Sequence, residues 1–385
     1  MIAEKENPEI RKERISEDIK RLEEKRKLKA FLPTVSLSID EDDAPYDDNL
    51  DPFDNSVGTQ AYVRMPLFTG GKLTSEYKKS KIDTKRTELS NVLLKYDIRE
   101  DVIKKYFEVL NNRKQVEILD GVNTTLTKQL ERLEGLYKNN KLVRKSDVLR
   151  VKSDILTNEV VLLRAKQRME ISTYELQILL GISMDERVDV AEFEYKPMEL
   201  ENFLLEDDIH KALNEGSKVE LSKLDLESKE LDVTIARSAY YPQVGIGFEK
   251  DFKREKDGLD SYRIGVGFRW NVFRWGSDMD GVSQRKYMVE QANIDLKTKE
   301  DEVILELKEK YSDMMTLSKQ VEAQQLKAEI ATENAKIDTL RYNNSLMSSF
   351  EYLDSIDKLR EAEEGYYTLQ RELLLSVDTY VNAGR

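Results

Sequence analysis

The sequence predicts a mainly α-helical chain with a small β part. Long helical hairpins are joined to four short strands, and the whole is arranged as an internal duplication. Three observations carry that reading. Charged residues make up 36% of the 385 and hydrophobic ones 39%, with only 7 prolines and 16 glycines, so helix formers are abundant and breakers scarce. Apolar residues recur every seven positions through proline-free stretches of about 70 residues. Four shorter segments alternate apolar and polar residues at period two, the pattern of half-buried strands.

Composition also excludes functions. Cysteine is absent, which rules out disulfides and thiolate metal sites. With the single histidine His210, neither a histidine-rich metal cage nor a Ser-His-Asp centre is expected, and no nucleotide-binding loop is present. No catalytic, cofactor-binding or metal-ligating constellation is predicted. The net charge of −13 argues against a nucleic-acid partner, whose footprint is normally basic. No run approaches 18 apolar residues, so no spanning helix is expected. A transmembrane β-barrel stays open, because its strands never raise a strong hydropathy peak.

The duplication is read from paired motifs at an offset of about 205 residues. Leu32-Pro33-Thr34-Val35 parallels Tyr241-Pro242-Gln243-Val244, and Phe68-Thr69-Gly70-Gly71 parallels Phe273-Arg274-Trp275-Gly276. Lys105-Tyr106 parallels Lys310-Tyr311, and Asp147-Val148-Leu149 parallels Glu351-Tyr352-Leu353.

In chain order, 1–31 is expected to lead to the β part through a helix over Glu6–Phe31, with Pro8 in its first turn. Residues 32–69 form a first β-hairpin. Val35, Leu37 and Ile39 share a face of one strand, and Ala61, Val63, Met65 and Leu67 share a face of the other. Between them the acidic Asp40–Asn55 reads as a solvated loop. Residues 70–181 form a helical hairpin turning at Asn139-Asn140, where Asn tolerates left-handed backbone. Its ascending arm carries Val102, Val109 and Val116, then Leu119, Leu126 and Leu133. Residues 182–240 form an irregular belt with Pro197, then a helix over Ile209–Tyr240. Residues 241–273 form a second β-hairpin, with strands over Pro242–Lys250 and Ser261–Phe273 and a mixed-charge loop Asp251–Asp260 between them. Residues 274–385 form a second helical hairpin turning at Asn343-Asn344-Ser345. Its seven-residue series runs Val282, Val289, Leu296, Val303, then Leu307, Met314, Val321, Ala328 and Ala335.

The strands suit tilted membrane crossings of about 9–11 residues. Four strands cannot close a barrel, and an open edge cannot sit in lipid, so a membrane reading needs several copies; three would supply twelve strands. The alternative is a soluble or surface-attached coiled-coil scaffold with one sheet face on a helical core. Arg64, Arg263 and Arg269 fall on the polar strand faces, as lumen-lining residues or as interface anchors.

Several motifs in this order resemble the TolC-like outer-membrane efflux channels. They are Asn7-Pro8-Glu9-Ile10, the Leu32-Pro33 and Tyr241-Pro242 pairs, Leu67-Phe68 with Gly70-Gly71, Trp270-Asn271-Val272-Phe273 with Gly276, Leu179-Leu180-Gly181, and the two hairpin turns. The resemblance covers nearly the whole chain. It implies a homotrimer with a twelve-stranded barrel in outer-membrane lipid and a twelve-helix α-barrel through the periplasm of a Gram-negative-type bacterium. It further implies a periplasmic adaptor (membrane fusion) protein and an inner-membrane transporter as partners. The function implied is passive export of drugs, small toxic molecules or proteins, without cofactor. Members normally begin with a signal peptide, so a trimmed N-terminus is expected.

The resemblance also implies site residues. Tyr342, Glu351 and Asp354 take gate positions at the second turn, and Asp147 takes the acidic position at the first. The family's arginine is Met347 here, which leaves Tyr342–Asp147 as the remaining latch. Glu351 and Asp354 are three apart and share a helix face, so a trimer would stack two acidic rings that attract cations. Asn140, Leu142, Val143, Asn344, Leu346 and Met347 are expected at adaptor-docking tips. Phe68, Trp270, Phe273 and Trp275 are expected at the membrane interface, where amphipathic rings settle.

Overall fold

The computed structural model describes residues 2–41, 57–140, 143–186, 188–193, 203–252 and 261–383. Leu142, Pro197 and most of the loops expected over Asp40–Asn55 and Asp251–Asp260 lie outside the described residues. Among the described residues, eight α-helices and four strands follow in order: α1 (Ile2–Glu6), α2 (Pro8–Lys29), β1 (Thr34–Glu41), β2 (Val57–Phe68), α3 (Lys72–Asn140), α4 (Lys145–Leu180), α5 (Leu205–Glu215), α6 (Ser217–Arg237), β3 (Gln243–Phe252), β4 (Ser261–Arg269), α7 (Ser277–Asn343) and α8 (Ser349–Ala383), with a 3-10 turn over Ser238–Tyr240 before β3. No helix among the described residues is long and apolar enough to cross a membrane.

The expected helix over Ile209–Tyr240 is broken. α5 ends at Glu215, α6 starts at Ser217, and Gly216 between them is extended at φ −66°, ψ 133°. Its N–H still bonds the Ala212 carbonyl at 3.0 Å, and a β-carbon there would collide with that oxygen. The fourth strand is also shorter than expected. Arg269 pairs with Gln243, the first residue of β3, and Pro242 before it has no N–H to offer, so Trp270–Phe273 leave the ladder.

Contacts divide the chain into two units. One comprises Met1–Lys12, Val92–Ser217 and Glu302–Arg385; the other comprises Glu13–Asn91 and Lys218–Asp301.

In the first unit the seven-residue series forms the core. Val109, Leu119, Leu126 and Leu133 of α3 are buried, as are Val303, Leu307, Met314, Val321, Ala328 and Ala335 of α7. They meet Val151, Ile155 and Leu162 of α4 and Ile356 and Leu373 of α8. Residues 188–193 pack on α3: Phe193 lies 5.0 Å from the Phe107 ring, Tyr106 donates to the Ala191 carbonyl at 2.9 Å, and Arg113 donates to that of Val190 at 2.6 Å.

The same unit explains two sequence motifs by joining them. Asn7 caps α2, its Oδ1 accepting from the amides of Glu9 (2.8 Å) and Ile10 (3.2 Å). Its Nδ2 donates to the Leu179 carbonyl at 2.7 Å, which satisfies a group left orphaned at the end of α4. Gly181 closes α4 at φ +73°, and Ile182 N–H returns to the Gln177 carbonyl at 2.9 Å. A β-carbon at Gly181 would overlap the Glu6 carbonyl, so glycine is required there twice over.

In the second unit, ion pairs tie the helices: Lys27–Glu76 (2.9 Å) and Arg21–Glu88 (3.1 Å) between α2 and α3, Lys79–Asp232 (2.6 Å) and Arg86–Asp225 (3.1 Å) between α3 and α6. Each is partly exposed and contributes at most about 1 kcal/mol. Between them Ser80, Ile82 and Thr84 of α3 are buried.

Candidate functional site

The sheet lies wholly in the second unit. Its order is β1-β2-β3-β4, antiparallel throughout. Because side chains alternate, register decides which residues share a face. Val35 pairs with Val63, Val63 with Phe248 and Phe248 with Ile264; Met65 pairs with Ile246 and Ile246 with Val266; Val244 pairs with Phe268. One face is therefore apolar across these three rows, and the next row toward the hairpin connections, Leu37–Ala61–Lys250–Tyr262, brings Lys250 onto it. It is also uncovered: Val35 is 73% exposed and Val266 69%, with Leu37, Ile264 and Phe268 similar. The other face is polar or bare. Ser36 pairs with Tyr62, Tyr62 with Glu249 and Glu249 with Arg263, while Thr34, Arg64, Gly247 and Gly265 form the next row. Arg263 lies 3.6 Å from Glu249. Arg64 and Arg269 are exposed and make no ion pair with any described residue.

The strand-to-helix junctions carry the expected aromatics. After β2, Gly70 and Gly71 take φ +62° and +84°, and a β-carbon on Gly70 would sit 2.9 Å from the Ser238 carbonyl oxygen. After β4 the corresponding pair is Trp275 (φ +53°) and Gly276 (φ +83°). A tryptophan in left-handed backbone is strained, and the one sequence signal for it is the paired motif that sets Trp275 on the position of Gly70. Its ring is 89% exposed and lies 5.1 Å from that of Phe273, also exposed. Trp270 donates its indole N–H to the Tyr240 carbonyl at 3.1 Å, and Phe68 is half exposed.

The hairpin tips lie in the first unit. Tyr342 is not at the surface. It is 2% exposed and stacked on buried Tyr352, with ring centroids 4.6 Å apart and planes 3° from parallel. Around the pair stand Val122, Leu126 and Leu133 of α3, Val151 and Ile155 of α4, Ala335 of α7 and Ile356 of α8. The Tyr342 hydroxyl is buried and has no hydrogen-bond partner among the described residues. Burial, then the nearby charge of Asp154, holds its pKa well above the ordinary tyrosine value. Asp147, the expected latch partner, instead accepts from the Arg144 amide at 3.3 Å at the start of α4. Among the described residues no hydrogen bond joins Tyr342 to Asp147.

Glu351 and Asp354 are both exposed on the first turns of α8. Glu351 Oε2 accepts from the Ser348 amide (2.9 Å) and hydroxyl (2.8 Å), and the Ser348 Oγ accepts from the Glu351 amide (3.2 Å), a reciprocal capping box. The Ser348 backbone bond, then its hydroxyl, holds the Glu351 carboxyl below the usual range. Asp354 pairs with Lys358 at 2.6 Å. Each carboxylate thus has its own partner within the chain.

At the second turn Asn344 is exposed, and its Nδ2 donates to the Leu340 carbonyl at 2.8 Å. The left-handed residue is Ser345 (φ +59°) rather than an asparagine. Leu346 is exposed, whereas Met347, and Val143 at the first turn, pack against the tip core. Asn140 ends α3, and nothing is described of its side chain. Sequence reasoning missed Phe350, 78% exposed beside the second turn.

Residues 209–379 match the family described as outer membrane efflux protein. No curated protein matches the chain in sequence. Solved structures do match in fold. The CmeC outer membrane channel of Campylobacter jejuni gives a TM-score of 0.78 at 16% identity, over 100% of this chain and 84% of that one. The outer membrane protein VceC of Vibrio cholerae gives 0.75 at 14%, over 100% and 94%. The open-state MtrE outer membrane channel of Neisseria gonorrhoeae gives 0.71 at 13%, over 100% and 87%. Residues 209–379 thus match the outer membrane efflux protein family, and the chain shares along its whole length the fold of these solved outer-membrane channels.

Proposed function

We propose that the protein is a passive export duct of the outer membrane. Three copies pair β4 of one with β1 of the next, closing a twelve-stranded barrel, while their helices line a periplasmic tunnel. The observation that carries this reading is the sheet: among the described residues it has two open edges and a largely apolar face left uncovered. In water that face is a liability; in a bilayer it is the required outer surface, with the polar face turned to a water-filled bore. Trp270, Phe273, Trp275 and Phe68 then stand at the lipid boundary.

The tips act as the gate and as the docking site for a periplasmic adaptor, beyond which an inner-membrane transporter loads drugs, small toxic molecules or proteins. Glu351 and Asp354 contribute charge at the constriction. Asn344, Leu346 and the turn residues Asn140, Leu142, Val143 and Met347 form the docking end. The buried Tyr342–Tyr352 stack, rather than a Tyr342–Asp147 bond, holds the closed arrangement within each copy.

Cross-linking of detergent-solubilised protein followed by planar-bilayer recording tests the reading. A trimer with discrete conductance steps is expected. A monomer that stays in solution without detergent and forms no pore overturns it in favour of a scaffold.

A further inference from the structure

We propose that Arg64 and Arg269 make the β-part of the bore selective for anions, so that the cargo favoured there carries a carboxylate, sulfonate or phosphate group. This rests on the channel reading above and adds a substrate class to it.

The argument starts from the polar face of the sheet. Three arginines occupy it, and they are not equivalent. Arg263 is neutralised by Glu249 directly opposite in register, 3.6 Å away. Arg64 stands opposite Thr34 on one side and Gly247 on the other. Arg269 stands opposite Gln243. Neither has a carboxylate in its own row. Asp40 and Asp251 belong to rows further along, beside Gly58 and Gln60, toward the hairpin connections. Exposed guanidiniums of this kind cannot face hydrocarbon, since an arginine on the lipid side of a barrel costs about 2–4 kcal/mol at the midplane. Water in the bore removes that cost and leaves the charges free to act on whatever passes.

Neighbouring residues keep them accessible. Gly247 and Gly265 share the row of Arg64 and add no side chain beside it. Three copies of each arginine would ring the bore with positive charge. Within low-dielectric walls such a ring raises the local concentration of anions and excludes cations. The carboxylates of the tips lie in the other unit, and their contribution is common to every variant of the sheet.

Reversal potentials across a bilayer with a KCl gradient test the assignment. In Arg64→Gln/Arg269→Gln the chloride-to-potassium permeability ratio is expected to fall by about twofold or more relative to wild type. Glu249→Gln, which frees Arg263, should move the ratio the opposite way. Arg64→Lys/Arg269→Lys keeps the charge and should keep the wild-type ratio, which separates charge from a folding defect. A double glutamine variant that conducts with an unchanged ratio overturns the proposal and leaves the channel reading standing. A wild-type protein that forms no pore overturns the channel reading and this proposal with it.

Discussion

The sheet and the hairpin tip treat apolar surface in opposite ways. At the tip, Tyr342, Tyr352, Leu126 and Ile356 come from three helices and bury one another almost completely. In the sheet, Val35, Leu37, Ile264, Val266 and Phe268 form an equally regular apolar surface and cover nothing. Both regions follow their sequence periodicity faithfully. The difference is where the second half of each interface comes from. The tip finds it within the chain, and the sheet must find it elsewhere.

Mutations can break that comparison. The largest effect is expected at the tip, where Tyr352→Ala should cost about 3–5 kcal/mol, as for other large aromatic truncations in a packed core. Val266→Ala in the sheet, with detergent in place of lipid, should stay within about 0.5 kcal/mol. Guanidinium unfolding read by amide exchange in each region measures both, and equal costs would erase the contrast. Tyr342→Phe comes next. Because its hydroxyl is buried without a partner among the described residues, removal should stabilise the tip by about 1 kcal/mol. A loss of stability instead would reveal a bond to that oxygen and revive the Asp147 latch.

Trp275→Gly sharpens the comparison on the sheet side. It should relieve left-handed strain and raise the thermal midpoint in detergent, by about 1 kcal/mol of stability. In bilayers the same change should weaken insertion, because the exposed ring is lost. A variant that gains nothing in detergent would mean that the backbone is unstrained there.

The smallest effect is pH-dependent. The Glu351 carboxyl titrates below its unfolded value, so its capping contribution is present above the unfolded pKa and disappears as pH falls through the folded one. Protection of the first-turn amides of α8 should therefore drop on acidification in wild type and show no such step in Glu351→Gln.

Much of this was legible in the residues. The seven-residue series located the helix cores, and period-two alternation located the two faces of the sheet. The series Leu307, Met314, Val321, Ala328, Ala335 has Tyr342 as its next member, so periodicity alone predicts the buried tyrosine that is found. Gly216 broke a helix because φ/ψ choices at a single residue leave periodicity on either side intact. β4 stopped at Arg269 because strand length depends on where the partner begins, which is a property of the pair. Ser345 took the left-handed position next to two asparagines better suited to it, and the structure offers no account of that choice.

The outer strands of the sheet have a final consequence. With an even number of antiparallel strands, β4 of one molecule would present to β1 of another in the same orientation every time, a head-to-tail union. Nothing in such edges counts copies. Whether such a series would end as a ring or run on as a filament depends on the bend of the sheet together with the stagger of strand register that closure requires.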